Sequence, residues 1–563
     1  MAVCNKKYEL EAPAADLVER FKNFSNDCPE YFNFANDVFD VWADRDRNKL
    51  AMIWVDQYGH EKKYTFHDLR KLSIQAANLL LKHGISKGDR VIMMLPRLPE
   101  WWIFSLALIR LGAVQCHVPT LLTPADLKQR ICFGKFKMII ADTSNADKVD
   151  AICNECPSLS DKVLVDGEAR EGWINYQHDI LYPVRLSSSA VTVSRSFNTK
   201  ATDPLLLIFT SGTSKTPKLV SHPCSYPLGH RITAELWHGL DSNDLHYTAS
   251  DTGWAKNLWG NYFGQWIVGA CVFIFDIRGK FDPDMVLPIL EKYSITSFCA
   301  PPTIYRMLVL NDLHKFDLSA LKQCCSAGEA LHTETFRLWK EGTGISIREG
   351  YGQTETVCMI CNPAGFEAVP GSMGMASPGW EIELHDDDGK PVPEGEDGRV
   401  AVRINPNRPL GLFNGYQNAR KDNEECFIGD FYYTGDKARR DENGYFWYMG
   451  RSDDIIKSSG YRIGPLEVEE AMMQHDAVHE VAVVGAPDPM RGAKVKAYIV
   501  LHEGWEATES LVKELQQHCK RITAPYKYPR EIEFVHSLPK TFSGKIKRDI
   551  LRKYAETGEG FWE

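Results

Sequence analysis

No uninterrupted apolar run in the 563 residues approaches the roughly 20 that a membrane helix needs. The chain is therefore not expected to span a bilayer by a helix. The N-terminus, MAVCNKKYELEAPAADLVERF, has no apolar signal core, and its early acidic residues argue against a transit peptide. Basic residues are in deficit, 65 Lys and Arg against 75 Asp and Glu, and a formal net charge of -10 argues against a nucleic-acid binder. The 15 cysteines have no short regular spacing, so they read as reduced thiols in a cytosolic chain. Two C-x-x-C pairs, Cys153/Cys156 and Cys358/Cys361, lie about 200 residues apart, so a zinc site would need the fold to unite them. Low-complexity tracts and internal repeats are missing, as is any Ser-His-Asp or Cys-His signature of a covalent nucleophile. These absences leave a cytoplasmic enzyme or binding protein, of prokaryotic type for want of a transit peptide.

What is present is ordinary globular material, 44% hydrophobic and 25% charged, in a length that calls for two or more domains. Helical apolar spacing follows Thr65, and Arg90 to Pro96 reads as a buried strand. A second helix is expected from Glu100 to Leu111 and a further strand from Val114 to Pro119. Strands alternating with amphipathic helices predict α/β layers, and the pattern recurs at LLLIFTSG, ACVFIFD and SITSFCAPP. Past residue 370, short alternating strands with Gly, Pro and Asp turns predict an antiparallel, β-barrel-like unit attached to the large domain. From residue 453 a small α+β module is expected. The predicted organisation is a large domain over 1–452 and a small mobile one over 453–563.

A strand-like LLLIF runs into Thr210-Ser-Gly-Thr-Ser-Lys-Thr-Pro-Lys218. Backbone N–H groups and hydroxyls in such a loop can cradle phosphate oxygens, and lysine adds positive charge. The loop is not a Walker A motif, because the register from Gly212 gives Pro217-Lys218-Leu219 and lacks the second Gly and the Mg²⁺-binding hydroxyl. It resembles instead the T-S-G-[ST]-[ST]-G-x-P-K signature of the adenylate-forming superfamily, which includes acyl-CoA synthetases, peptide-synthetase adenylation domains and firefly luciferases. Lys215 stands where that family has Gly. The resemblance assigns Thr210, Ser211, Gly212, Thr213, Ser214, Lys215 and Lys218 to the phosphates of ATP.

The other signatures follow in the superfamily's order across nearly the whole chain. Ser326-Ala-Gly-Glu-Ala330 resembles the adenine-binding segment, which assigns Gly328, Glu329 and Ala330 to ATP. In Glu349-Gly-Tyr-Gly-Gln-Thr-Glu355 the resemblance makes Tyr351 the ring stacked on adenine, Thr354 a phosphate contact and Glu355 the carboxylate for Mg²⁺. Tyr433-Thr-Gly-Asp436 resembles the ribose motif, with Asp436 on the ribose hydroxyls and Arg451 beside it. Asp453 would be the hinge, Ser459 and Gly460 would meet the CoA arm, and Arg462 a phosphate. In Lys540-Thr-Phe-Ser-Gly-Lys545 the resemblance makes Lys545 the adenylation lysine. Ten Lys/Arg against three Asp/Glu over 520–553 would suit the CoA phosphates.

The nearest likeness is to medium-chain acyl-CoA synthetases, ligases of fatty acid metabolism using ATP, Mg²⁺ and coenzyme A. The segment Ser250-Asp-Thr-Gly-Trp-Ala-Lys-Asn-Leu-Trp-Gly260 resembles their acid-binding region and that of acetyl-CoA synthetases. Acetyl-CoA synthetases place Trp just before Q-T-E; here Gly352 stands there, which implies a longer pocket. Trp259 counteracts this if its ring points inward, favouring short branched or aryl acids; Trp254 belongs to the same region, and Lys256 is expected near the site entrance. The expected partners are thus a small carboxylic acid, ATP and CoA, without nucleic acid; a homodimer is compatible with this reading. The alternatives are a ligase that loads a carrier protein and a catalytically silent nucleotide-binding regulator.

Overall fold

A computed structural model describes residues 17–25, 27–181, 197–210, 218–279, 282–452, 454–458, 461–488, 491–541 and 545–558. By internal contacts the chain divides into two units. The first comprises Met1–Pro370, Gly374–Trp380 and Asn407–Asn423; the second comprises Gly371–Met373, Glu381–Pro406 and Glu424–Glu563.

The first unit holds two large sheets. The eight-stranded sheet runs Gly415–Tyr416, Lys218–Pro223, Pro204–Thr210, Val114–His117, Arg90–Met94, Met138–Ala141, Asp161–Leu164, Ile174–Asn175. The nine-stranded sheet runs Met375–Ala376, Ile360–Cys361, Ile347–Tyr351, Gln323–Ala327, Ser297–Cys299, Leu245–Thr248, Cys271–Asp276, Leu50–Asp56, Glu61–Thr65. Inner strands such as Met138–Ala141 are buried at every position, as expected where helices cover both faces of a parallel sheet. The helix expected after Thr65 spans Phe66–Lys82, with Thr65 and Asp68 closing a capping box that satisfies backbone donors of its first turn. The helix Pro99–Leu111 is buried at nearly every position. It therefore needs a partner for its one buried cation: Arg110 makes two hydrogen bonds to Asp40, at 2.7 and 2.9 Å, and a third to Ser73 Oγ at 3.0 Å.

The second unit also holds two sheets. Ile382–His385, Asp397–Arg403, Phe431–Arg440 and Phe427–Ile428 form an antiparallel series, with Phe446–Arg451 paired to Phe431–Arg440. This is the antiparallel material expected past residue 370, but it groups with the second unit rather than, as expected, with the large domain. The α+β remainder centres on the hairpin Val478–Asp488 and Gly492–Leu501, backed by the helices Pro465–Met473, Glu509–Ile522 and Arg548–Thr557. The chain is thus mixed α/β, with a large N-terminal sheet unit and a smaller C-terminal one. The boundary expected at Asp453 lies outside the described residues.

Candidate active site

Backbone pairing assembles the first unit's candidates. Pro204–Thr210 and Lys218–Pro223 are antiparallel neighbours, with Thr210 opposite Lys218, so both ends of the phosphate loop are held by one hairpin. Ser211, Gly212, Thr213, Ser214 and Lys215 lie outside the described residues. Lys218 Nζ sits 2.6 Å from Asp422 Oδ1 and 4.9 Å from the centroid of the Tyr416 ring. Tyr416 in turn donates its hydroxyl to Glu355 Oε1 at 2.7 Å. One tyrosine therefore ties the loop's last lysine to the carboxylate of the Q-T-E turn.

Main-chain contacts fix that turn from the same side. Phe413 N–H donates to Glu355 O at 2.8 Å, and His222 Nε2 lies 2.7 Å from Thr354 O. A carbonyl can only accept, so His222 carries its proton on Nε2. Burial pushes the His222 pKa down to about 3, which keeps the ring neutral and this donor in place across the physiological range. Sequence reasoning passed over Tyr416, Asp422 and His222. Their only signal is spatial, because Phe413-Asn-Gly-Tyr416 lies far downstream and joins by pairing Gly415–Tyr416 against Lys218–Pro223.

The segments Ser326–Ala330 and Glu349–Glu355 meet on adjacent parallel strands, Gln323–Ala327 and Ile347–Tyr351, with Ala327 opposite Gly350. Gly328 follows at φ +105° with open space where a side chain would start, so backbone conformation, not crowding, calls for glycine there. Glu329 lies 3.9 Å from Arg306, and Ala330 is half-buried beside it. Tyr351 pairs with Ile360 across the strand edge. Trp254 caps the helix Ala255–Gly260, and Lys256 donates to Ala327 O at 3.0 Å. Trp259 is buried among Trp237, Cys299, Cys325, Ala327 and Cys358. A Cβ added at Gly352 would lie 2.4 Å from Trp259 Cη2. The ring therefore fills the space beside the Q-T-E turn that the glycine leaves open.

The remaining candidates belong to the second unit. Asp436 is buried, and its Oδ1 accepts from the Tyr448 hydroxyl at 3.0 Å and lies 3.3 Å from Arg451 Nη1. Burial pushes the Tyr448 phenol well above its usual range, so it stays a donor. Lys545 is exposed, and Thr541 N–H donates to Lys545 O at 2.7 Å while Lys545 N–H donates to Thr541 Oγ1 at 3.1 Å. The helix Arg548–Thr557 follows, which Arg548 anchors on buried Glu469 through bonds of 2.7 and 2.8 Å. Burial works against the Arg548 charge, and Glu469 outweighs it and raises the pKa. Of the ten cations over 520–553, Lys527, Lys540, Arg548 and Arg552 are in ion pairs with Glu467, Glu480, Glu469 and Asp454, which lessens the free charge expected there. Arg462 lies in the strand Tyr461–Ile463; Asp453, Ser459 and Gly460 lie outside the described residues.

The AMP-binding enzyme family model matches residues 39–417, and the AMP-binding enzyme C-terminal domain matches 467–545. The chain is 46% identical to human mitochondrial acyl-coenzyme A synthetase ACSM5, over 93% of this chain and 90% of that one. It is 42% identical to mitochondrial acyl-coenzyme A synthetase ACSM3 of Mus musculus, over 98% and 96%. Among solved structures, the anthranilate CoA ligase AuaEII in complex with anthranoyl-AMP superposes with a TM-score of 0.84 at 32% identity, over 94% of this chain and 98% of that one. Both named relatives are mitochondrial, and that finding overturns the cytoplasmic, prokaryotic-type assignment drawn from the N-terminal residues. Motif order, paired strands and relatives agree: the chain belongs to the AMP-binding, adenylate-forming enzyme family, and within it to the AMP-forming acyl-coenzyme A synthetases.

Proposed function

We propose that the acid is a short or medium-chain, branched or aryl carboxylate. The observation that carries this is the Trp259 ring at Gly352, which supports a pocket longer than that of an acetate enzyme yet blunted by an indole. The anthranoyl-AMP in the solved ligase named above supports an aryl acid in the same way.

The reaction follows from the chemistry of the carboxylate, whose own leaving group would be oxide. A carboxylate oxygen attacks the α-phosphorus of ATP, pyrophosphate departs, and the acyl-adenylate acquires AMP as a good leaving group. The CoA sulfur then attacks the acyl carbonyl and AMP leaves. Neither step needs a protein nucleophile; the chain's work is positioning and charge stabilisation. The loop from Thr210 to Lys218, with Thr354, holds the phosphates, and Lys545 meets the charge that grows at the α-phosphate. Tyr351, Gly328, Glu329 and Ala330 receive adenine, while Asp436 and Arg451 take the ribose. Glu355 would supply the hard oxygen donor that Mg²⁺ prefers, and the ion when bound would neutralise phosphate charge. In the second half-reaction Asp453 is the hinge, and Ser459 and Gly460 meet the CoA arm. The working domains are 1–452 and 453–563.

The test is CoA-dependent AMP and pyrophosphate release with acids from acetate through C4–C8 straight and branched chains to benzoate. Turnover best within C4–C8 or with benzoate is expected; a maximum at acetate would refute the pocket reading. Trp259→Ala should raise kcat/KM for octanoate relative to butyrate by about tenfold, since one methylene is worth about 1–3 kcal/mol in such a pocket. An unchanged ratio would mean that the ring is packing only. Tyr416→Phe keeps the ring beneath Lys218 and deletes the donor to Glu355. It should lower kcat/KM for ATP by about tenfold, the scale of a hydrogen bond to a charged group. Unchanged ATP kinetics would remove Tyr416 from the site.

A further inference from the structure

The Cys153/Cys156 pair has no part in acid activation, and the fold gives it a different partner from the one its spacing suggests. Cys153 Sγ turns toward Lys162 Nζ at 3.8 Å and Asp150 O at 3.6 Å. Cys156 instead faces Cys132, 24 residues earlier, with the two sulfurs 3.9 Å apart. Cys132 is exposed on the helix Pro124–Gly134, and Cys156 is buried in the cluster that includes Leu127 and Ile131 of that helix. Further contacts hold the segments together: Lys128 is ion-paired with Glu155, and Cys132 Sγ lies 3.7 Å from Glu155 O. Both thiols are free.

We propose that Cys132 and Cys156 form a redox modification site, an exposed attacking thiol with a buried resolving thiol, which a small-molecule disulfide of the glutathione class closes to an intrachain disulfide. Cys132 thiolate attacks one sulfur of the oxidant, whose S–S bond breaks and releases one thiolate. Cys156 sulfur then attacks the Cys132 sulfur and displaces the second thiolate. The two cysteine protons end on the two departing thiols; the protein loses two electrons and the oxidant gains them. A disulfide needs its sulfurs at about 2.0 Å, within reach of side-chain rotation from the observed separation. Burial pushes the Cys156 thiol up to about 12, which assigns the first attack to Cys132. The link joins segment 153–156 to a helix whose Arg130 lies 5.5 Å from the Phe209 ring and whose Phe133 ring lies 6.4 Å from it. Phe209 immediately precedes Thr210, so the modification bears on the base of the phosphate loop.

The experiment treats the full-length protein with oxidised glutathione, blocks residual thiols and maps peptides by mass spectrometry, with Cys132→Ser, Cys153→Ser and Cys156→Ser in parallel. A Cys132–Cys156 crosslink is expected in the wild type and in Cys153→Ser, absent from the other two and reversed by dithiothreitol. Thermal melting should rise by a few degrees in the crosslinked wild type. A stable Cys132–glutathione adduct without resolution, a Cys153–Cys156 crosslink, or a link formed only after denaturation would overturn the proposal. The wild-type map needs no variant to fold.

Discussion

Replacing Lys545 with alanine should reduce acid-dependent pyrophosphate release by about 10²–10³-fold, the scale set by losing one preorganised charge-stabilising group. The same variant should convert supplied acyl-adenylate and CoA to the thioester at close to the parent rate. The asymmetry follows from where charge grows. In the first half-reaction the attacking carboxylate and the α-phosphate are both anionic, and an ammonium stabilises the transition state more than the separated reactants. In the second, the charge leaves with AMP and needs no cation at that position. Lys545 is held by its backbone N–H and C=O bonds to Thr541 and the following helix by the Arg548–Glu469 pair, so an alanine at 545 leaves the surrounding unit in place. Single-turnover assays of each half-reaction make the comparison. Equal losses in both would refute the assignment and indicate a general disruption of the C-terminal unit.

The second large effect concerns stability. Arg110→Met removes a buried cation and leaves Asp40 charged in a nearly closed site, while Ser73 loses a donor. Breaking one side of such a pair costs about 3–5 kcal/mol, because the remaining ion is desolvated without compensation. Denaturant melts of the full-length protein should show the loss. Adding Asp40→Leu to the variant should recover a large part of it, since apolar side chains of similar volume can replace a buried pair at little net cost. A double variant as unstable as the single one would mean that packing around helix Pro99–Leu111, not the uncompensated carboxylate, sets the penalty.

Much of the architecture was open to a reading of local pattern. Thr65 followed by Asp68 and an apolar helical repeat announces a capped helix, and the structure places Phe66–Lys82 there. The apolar runs at Arg90, Leu205 and Cys271 became buried strands because no polar face interrupts them. Nothing local marked His222, Tyr416, Asp422 or Tyr448 as partners of Thr354, Glu355, Lys218 and Asp436. The first three contacts join segments far apart in the chain, and the fourth crosses two paired strands. Nor did the C-x-x-C spacing mark the contact of Cys156 with Cys132, which helix packing sets.

The chemistry was legible through resemblance: the order of the Thr210–Lys218 loop, the Q-T-E turn, the Y-T-G-D motif and the terminal lysine is a linear property that pointed to adenylate formation before any contact was known. The sequence by itself also determined the α/β layering, because hydrophobic period is written locally. Tertiary structure alone decided what surrounds each functional group. Whether Trp259 borders Gly352, which phenol restrains Glu355 and which thiol meets Cys156 depend on strand pairing and helix packing between residues far apart in the chain. Such contacts are set by the collective burial of apolar surface, which no short window of residues encodes.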